Sequence, residues 1–372
     1  MSLIGGVAIG LSALANNSGF VLDLSLASDV LFHPDLMIFG VLGGLLVTEK
    51  LAGMEQFKIF YVFRISRLTL LFLYGGVLLV SIGILYSTPI IRYVGLVSVI
   101  TASVLFLTYV ISPRSHGKGE IKWIFGAGIS AITLTSIANF TLDIPQSVQL
   151  TYLSLLFPTI YILAERIELG FIRGMKRNIL ATESVLSWLT VALGFISVES
   201  PLDSTRTPIM FASIFFLSVI VMISIRFDPA FRKVAVKSRF EMYMKTGIVI
   251  AYSWLVIGIV LFSIRLFGVT GLLDPATHSF AIGFFGTFIV THSPIIFPLV
   301  LKRDVMRDRV TLLPIISITI ANVMRVFGDL ASRVSTTWNV VSYISGYALI
   351  VAIIAFVYNI SRVTSHIPPD VS

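Results

Sequence analysis

The chain reads as an all-α protein, a polytopic transmembrane helical bundle of about twelve spans, and three observations carry that reading. Of its 372 residues, 56% are hydrophobic and only 12% are charged, where an ordinary soluble domain has about 25% charged. Mean hydropathy is +0.96. Apolar windows of roughly 20 residues, the length that crosses about 30 Å of hydrocarbon, recur to the end of the chain. Basic residues gather after every second window, as the positive-inside rule requires of a chain that weaves back and forth.

In order, the windows cover 2–22, 34–53, 65–87, 90–112, 121–141, 145–165, 178–198, 207–226, 244–266, 276–301, 310–331 and 338–361. The first is interrupted by Asn16, Asn17 and Ser18. It lacks the basic start and small-residue cleavage site of a removable signal, so it is expected to stay in the membrane. The tenth opens at Asp274-Pro275, where proline fits a first helical turn because its missing N–H would have been unpaired anyway. Connections are short and no linker intervenes. Residues 1–372 therefore read as a single transmembrane domain.

Lys50, Lys58, Arg64 and Arg67 follow the second window, and Arg166, Arg173, Lys176 and Arg177 the sixth. The pattern repeats with Arg232, Lys233 and Lys237 after the eighth and Lys302, Arg303, Arg307 and Arg309 after the tenth. The opposite side holds only Arg92, Arg206, Arg265 and Arg333 as cations. Both termini are thus expected in the cytoplasm, with the cytoplasmic membrane as the location. The net charge of +8 is a topology signal and a contact for anionic lipid, not a nucleic-acid surface. Cysteine is absent, which excludes disulfides, thiolate haem ligation, iron–sulfur clusters and Cys-zinc sites.

Ionisable groups inside a span are candidates for function. His33 opens the second window and His278 the tenth; even-numbered windows run the same way, so both histidines lie near the outer face. Arg325, near the end of the eleventh, reaches the outer third too, which gives an outer set of His33, Asp35, His278, Asn322, Arg325 and Asp329. His292 is fourteen residues beyond His278, about 21 Å along a helix, so the two cannot share a metal. Gly283 and Gly286 follow His278 at five and eight residues and let a helix or a flat ligand approach the backbone closely.

Two imidazoles on facing helices are one way to hold haem iron in a bundle; bonding to a carbonyl or water is the plainer role for each. Arg325 costs roughly 2.5–3.5 kcal/mol at a helix centre and needs an anion. Asp329 at i+4 supplies one and a haem propionate would supply another. Glu165, Glu168 and Glu183 lie toward the cytoplasmic ends of their windows, where Glu183 could relay protons or be solvated by the basic loop. No hydrolase, zinc-protease or phosphate-loop motif occurs.

The segment HSFAIGFFGTF, His278 to Phe288, resembles the H-x-x-x-x-G-x-x-G-T-M segment of the NnrS family of haem-containing membrane proteins linked to nitric-oxide metabolism. FHPDLMIFG, Phe32 to Gly40, is similar to its W-H-x-H-E-M-L-F-G segment. GIVIAYSWLVIG, Gly247 to Gly258, is similar to its G-Y-A-W-L stretch, and ANVMRVFGDL to its L-R-V segment. The resemblance implies haem held by His33 and His278 as metal ligands, with Arg325, Gly283 and Gly286 completing the cofactor site. Nitric oxide or another small diatomic would then be the partner, in a nitric-oxide response, tolerance or redox role. Asp35, Val249 and Val300 replace three histidines of the family, which weighs against copper. Two other classes fit the same residues: a secondary transporter for an anionic or protonatable substrate, and a structural subunit of a respiratory complex. Whether a reaction is catalysed, and the oligomeric state, stay open at this level.

Overall fold

The computed structural model of the chain describes residues 36–55, 60–86, 88–112, 119–141, 147–172, 175–232, 236–300, 303 and 307–364. The first expected span, 2–22, and the start of the second, including His33 and Asp35, lie outside them. Among the described residues the structure is helical and without β-strands. It begins with an eight-residue π-helix, π1 (Leu36–Gly43), which continues as α1 (Gly44–Glu55). Then come α2 (Phe60–Leu85), α3 (Pro89–Ile111), α4 (Gly119–Thr141), α5 (Val148–Ile172), α6 (Arg177–Glu199), α7 (Asp203–Phe227) and α8 (Arg239–Leu266). After α9 (Leu273–His278) a second π-helix, π2 (Ser279–Gly286), runs into α10 (Thr287–Val300); α11 (Leu313–Ala331) and α12 (Asn339–Val363) complete the chain.

Ten helical segments among the described residues are long and apolar enough to cross a membrane. They coincide with the third to twelfth windows. Large apolar side chains such as Leu71, Leu78, Phe215, Met222, Val351 and Ile354 stand exposed on them. On a polytopic protein that surface faces lipid.

Packing divides the described chain into two compact units, the first ending at Asp228 and the second starting at Pro229. In unit 1, α5 packs against α4, α6, α7 and π1, and it is the most enclosed of the spans. The α2–α3 hairpin depends on glycine: a Cβ on Gly76 would sit 2.8 Å from the Gly95 carbonyl oxygen and 2.9 Å from the Val99 nitrogen. Small residues let two backbones meet where lipid offers no hydrophobic gain from association. At one end of the unit, Arg166 donates to both carboxylate oxygens of Asp228, at 2.6 and 2.7 Å. Both side chains are nearly inaccessible. Lys50 reaches Glu168 at 3.8 Å and lies 4.0 Å over the Phe125 ring.

In unit 2, π2 and α10 pack against α8 and α11, and α11 pairs with α12. Hydroxyls buried in either unit mostly bond back into their own helix, as Thr135 to the Ala131 oxygen at 2.7 Å and Thr291 to the Thr287 oxygen at 2.6 Å. Such bonding satisfies a polar group that has no water to turn to.

Candidate functional site

The polar centre of unit 2 is assembled from α9, α11 and α12. Residues Ile315, Ile318, Asn322 and Arg325 recur at three- and four-residue spacing and form the buried face of α11, as an amphipathic helix prescribes. Asp274 sits in the first turn of α9, where the unpaired N–H groups favour a carboxylate. One turn on, the His278 Nδ1 is 3.0 Å from the Asp274 carbonyl oxygen and 3.2 Å from its carboxylate.

Arg325 joins the helices. Its Nη2 donates to Asp274, and its Nε is 3.1 Å from Asp329 one turn along α11. Ser342 of α12 donates to Asp329 at 2.7 Å. A Cβ on Gly328 would lie 2.6 Å from the Ser342 nitrogen, so glycine beside Asp329 is what lets α12 come this close. Arg325 and Asp329 are about one-tenth exposed, whereas Asp274 is 53% exposed. The cluster therefore runs from a partly open end into the interior.

Several polar atoms in it have no partner: Asn322 Nδ2 and Oδ1 and Arg325 Nη1; Arg325 Nε and Asp329 Oδ2 meet each other as an ion pair only. Asn322 is fully buried. Ligand-capable atoms of Asp274, His278 and Asp329 lie within 4.8 Å of one another. Nitrogen and oxygen donors of this kind suit a divalent cation, but any such ion would compete with Arg325 for both carboxylates.

The residues singled out in the sequence fall as follows. His278 and Arg325 share the cluster, both in contact with Asp274; His33 lies outside the described residues. Gly283 faces Trp254 and Asn322, so an added Cβ would meet each at 2.6 Å. Beside Gly286, Ile318 Cδ1 would be 2.8 Å away. Helix packing thus occupies both glycine faces. His292 is 2.9 Å from the Phe288 oxygen and stacks on the Phe288 ring at 4.0 Å. Sequence reasoning missed Asp274 as the principal partner of Arg325, because an i+4 carboxylate is visible in a sequence and one 51 positions away is not. It also missed Ser342 and Trp254. Gly328 next to Asp329 was the available sign that another helix comes close.

No curated protein matches the chain, and neither does any solved structure. One family model covers residues 1–364, and the chain accordingly belongs to the family described as a domain of unknown function (DUF8744).

Proposed function

We propose that this is a secondary transporter of the cytoplasmic membrane that binds a small protonatable solute at Asp274, Asn322, Arg325 and Asp329. The observation that supports the reading is the set of buried polar atoms without partners, both side-chain amide atoms of Asn322 and the Nη1 of Arg325. Leaving such a group unpaired costs about 1–3 kcal/mol. A solute with a donor and an acceptor would satisfy several at once. Two carboxylates against one guanidinium leave a formal negative charge, which favours a solute with a positive end. The π-helical turn beside the cluster fits this reading, since transporters commonly bind where a spanning helix departs from regular geometry.

Thermal unfolding of the purified full-length protein, titrated with amines, amino acids and small carboxylates, tests the proposal. A ligand at about 100 times its Kd adds about 2.7 kcal/mol of stability. One class of solute should raise the midpoint in the wild type and fail to do so in Asn322→Leu. If no class shifts it, or if the shift survives in both Asn322→Leu and Arg325→Lys, the site is not a solute site.

A second reading follows the NnrS resemblance, and the His278 geometry favours it. Asp274 engages Nδ1, an arrangement that orients an imidazole and leaves Nε2 for a metal. His278 and His33 would hold the haem iron. Haem, when bound, supplies redox chemistry and a site for a diatomic gas. The surroundings suit it less well: Trp254, Asn322 and Ile318 fill the space beside Gly283 and Gly286, and Arg325 already has two carboxylate partners. Protein expressed with ample haem should then show a Soret band that His278→Ala alters or removes. Colourless wild-type protein removes this reading and leaves the first.

A further inference from the structure

Glu183 lies in unit 1 and has no part in the cluster just described. It is the seventh residue of α6, about 9 Å along the helix from Arg177, and it is fully buried. Neither of its carboxylate oxygens has a hydrogen-bond partner. Ser187, one turn further on the same face, is also fully buried, with its hydroxyl unpartnered. An ionised carboxylate held inside a span with no donor is among the most costly arrangements in a membrane protein.

No neighbouring charge answers it. α6 packs against α4, α5 and α7, and most of the charged groups on those helices have partners elsewhere. Glu120 binds Arg177 at 2.5 Å and Lys122 donates to the Ser112 oxygen at 3.0 Å. Glu168 faces Lys50, Arg166 is bound to Asp228, and Arg206 is 3.1 Å from Asp203. Glu165 interacts with Glu49, Lys50, Arg166 and Glu168. Arg226 is in the last turn of α7. Of the tyrosines on α5, Tyr152 meets Ser213 at 3.1 Å, and the Tyr161 hydroxyl has no partner. None of these groups is hydrogen-bonded to Glu183.

We propose that Glu183 is a proton-binding site, a carboxyl that holds its proton inside the span and exchanges it with the medium by way of the Lys176–Arg177 end of α6. A proton removes the uncompensated charge, and the neutral acid costs far less to keep inside a span than the carboxylate does. The inference rests on unit 1 alone, so it survives or fails separately from the solute and haem readings of unit 2.

The test is carbodiimide modification of the full-length protein in membranes, followed by peptide mass spectrometry. Dicyclohexylcarbodiimide partitions into lipid and reacts with protonated carboxyls. It should form an adduct at Glu183 that is lost as the medium is made alkaline and is unaffected by excess Na+ at constant pH. A water-soluble carbodiimide should label Glu168 in preference to Glu183. Glu183→Gln, which copies the neutral acid in shape, should lose the adduct while keeping the wild-type unfolding midpoint. An adduct suppressed by Na+ at constant pH would make this a metal-cation site and overturn the proposal. So would the absence of any adduct at Glu183 in a digest where other carboxyls are labelled.

Discussion

Arg166 and Asp228 show what a charge inside this protein requires. Their bidentate contact satisfies two guanidinium N–H groups and both carboxylate oxygens, and the exposures are 5% and 0%. Removing one member of such a pair strands the other, at about 3–5 kcal/mol, whereas replacing both with apolar residues is often neutral. Asp228→Asn should therefore lower stability by about that amount in denaturant unfolding, and Arg166→Met with Asp228→Leu should recover most of it. A double variant as unstable as the single one would mean that the pair holds more than its own charges. Arg325 differs, since its contacts to Asp274 through Nη2 and to Asp329 through Nε leave Nη1 without a partner. That contrast separates a structural ion pair from a candidate binding site. It was only half legible in the sequence, which marks Arg325 as needing an anion but does not show that α9 provides one.

The same eight-residue device appears at two places in the chain. π1 reads LMIFGVLG and π2 reads SFAIGFFG, so each has glycine at its fifth and eighth positions. Each also directly follows an ionisable residue, Asp35 or His278. A wider helical register leaves carbonyls less well paired and brings glycine backbone against a neighbour, a combination common near functional sites. Hydropathy revealed both segments as parts of spans. It could not reveal the register, which is a matter of which carbonyl each N–H reaches and leaves the apolar count unchanged. The two glycines of π2 should also behave differently. A methyl on Gly283 meets the Trp254 Cγ and the Asn322 amide, whereas on Gly286 it meets chiefly the flexible tip of Ile318. Gly283→Ala should cost about 1–3 kcal/mol by overpacking, measured as a lower unfolding midpoint, and Gly286→Ala distinctly less. Gly286→Leu should be worse than Gly286→Ala, because its added volume exceeds what one rotamer change of Ile318 can absorb. Equal tolerance of all three would show that this face of π2 is not packed against α8 and α11.

At the scale of the molecule, the orientation decides what each buried group can reach. The span boundaries were legible because a helix crossing lipid needs an almost unbroken apolar run, and the helices from α2 to α12 follow those runs to within a few residues. The division at Asp228 was not, because Asp228-Pro229 lies in an ordinary short connection and only tertiary packing distinguishes it. Orientation rests on charge alone: Lys176 and Lys237 lie in basic connections, and Ser204 follows the acidic stretch that includes Glu199 and Asp203. All three positions are exposed. Since the chain has no cysteine, each can be made the sole thiol without a background to subtract. In intact cells an impermeant thiol reagent should label Ser204→Cys and spare Lys176→Cys and Lys237→Cys, with all three reacting after permeabilisation. The reverse pattern would move the Lys176 end of α6 to the outside, so that Glu183 would exchange protons with the external medium and the Asp274 end of the unit 2 cluster would open toward the cytoplasm.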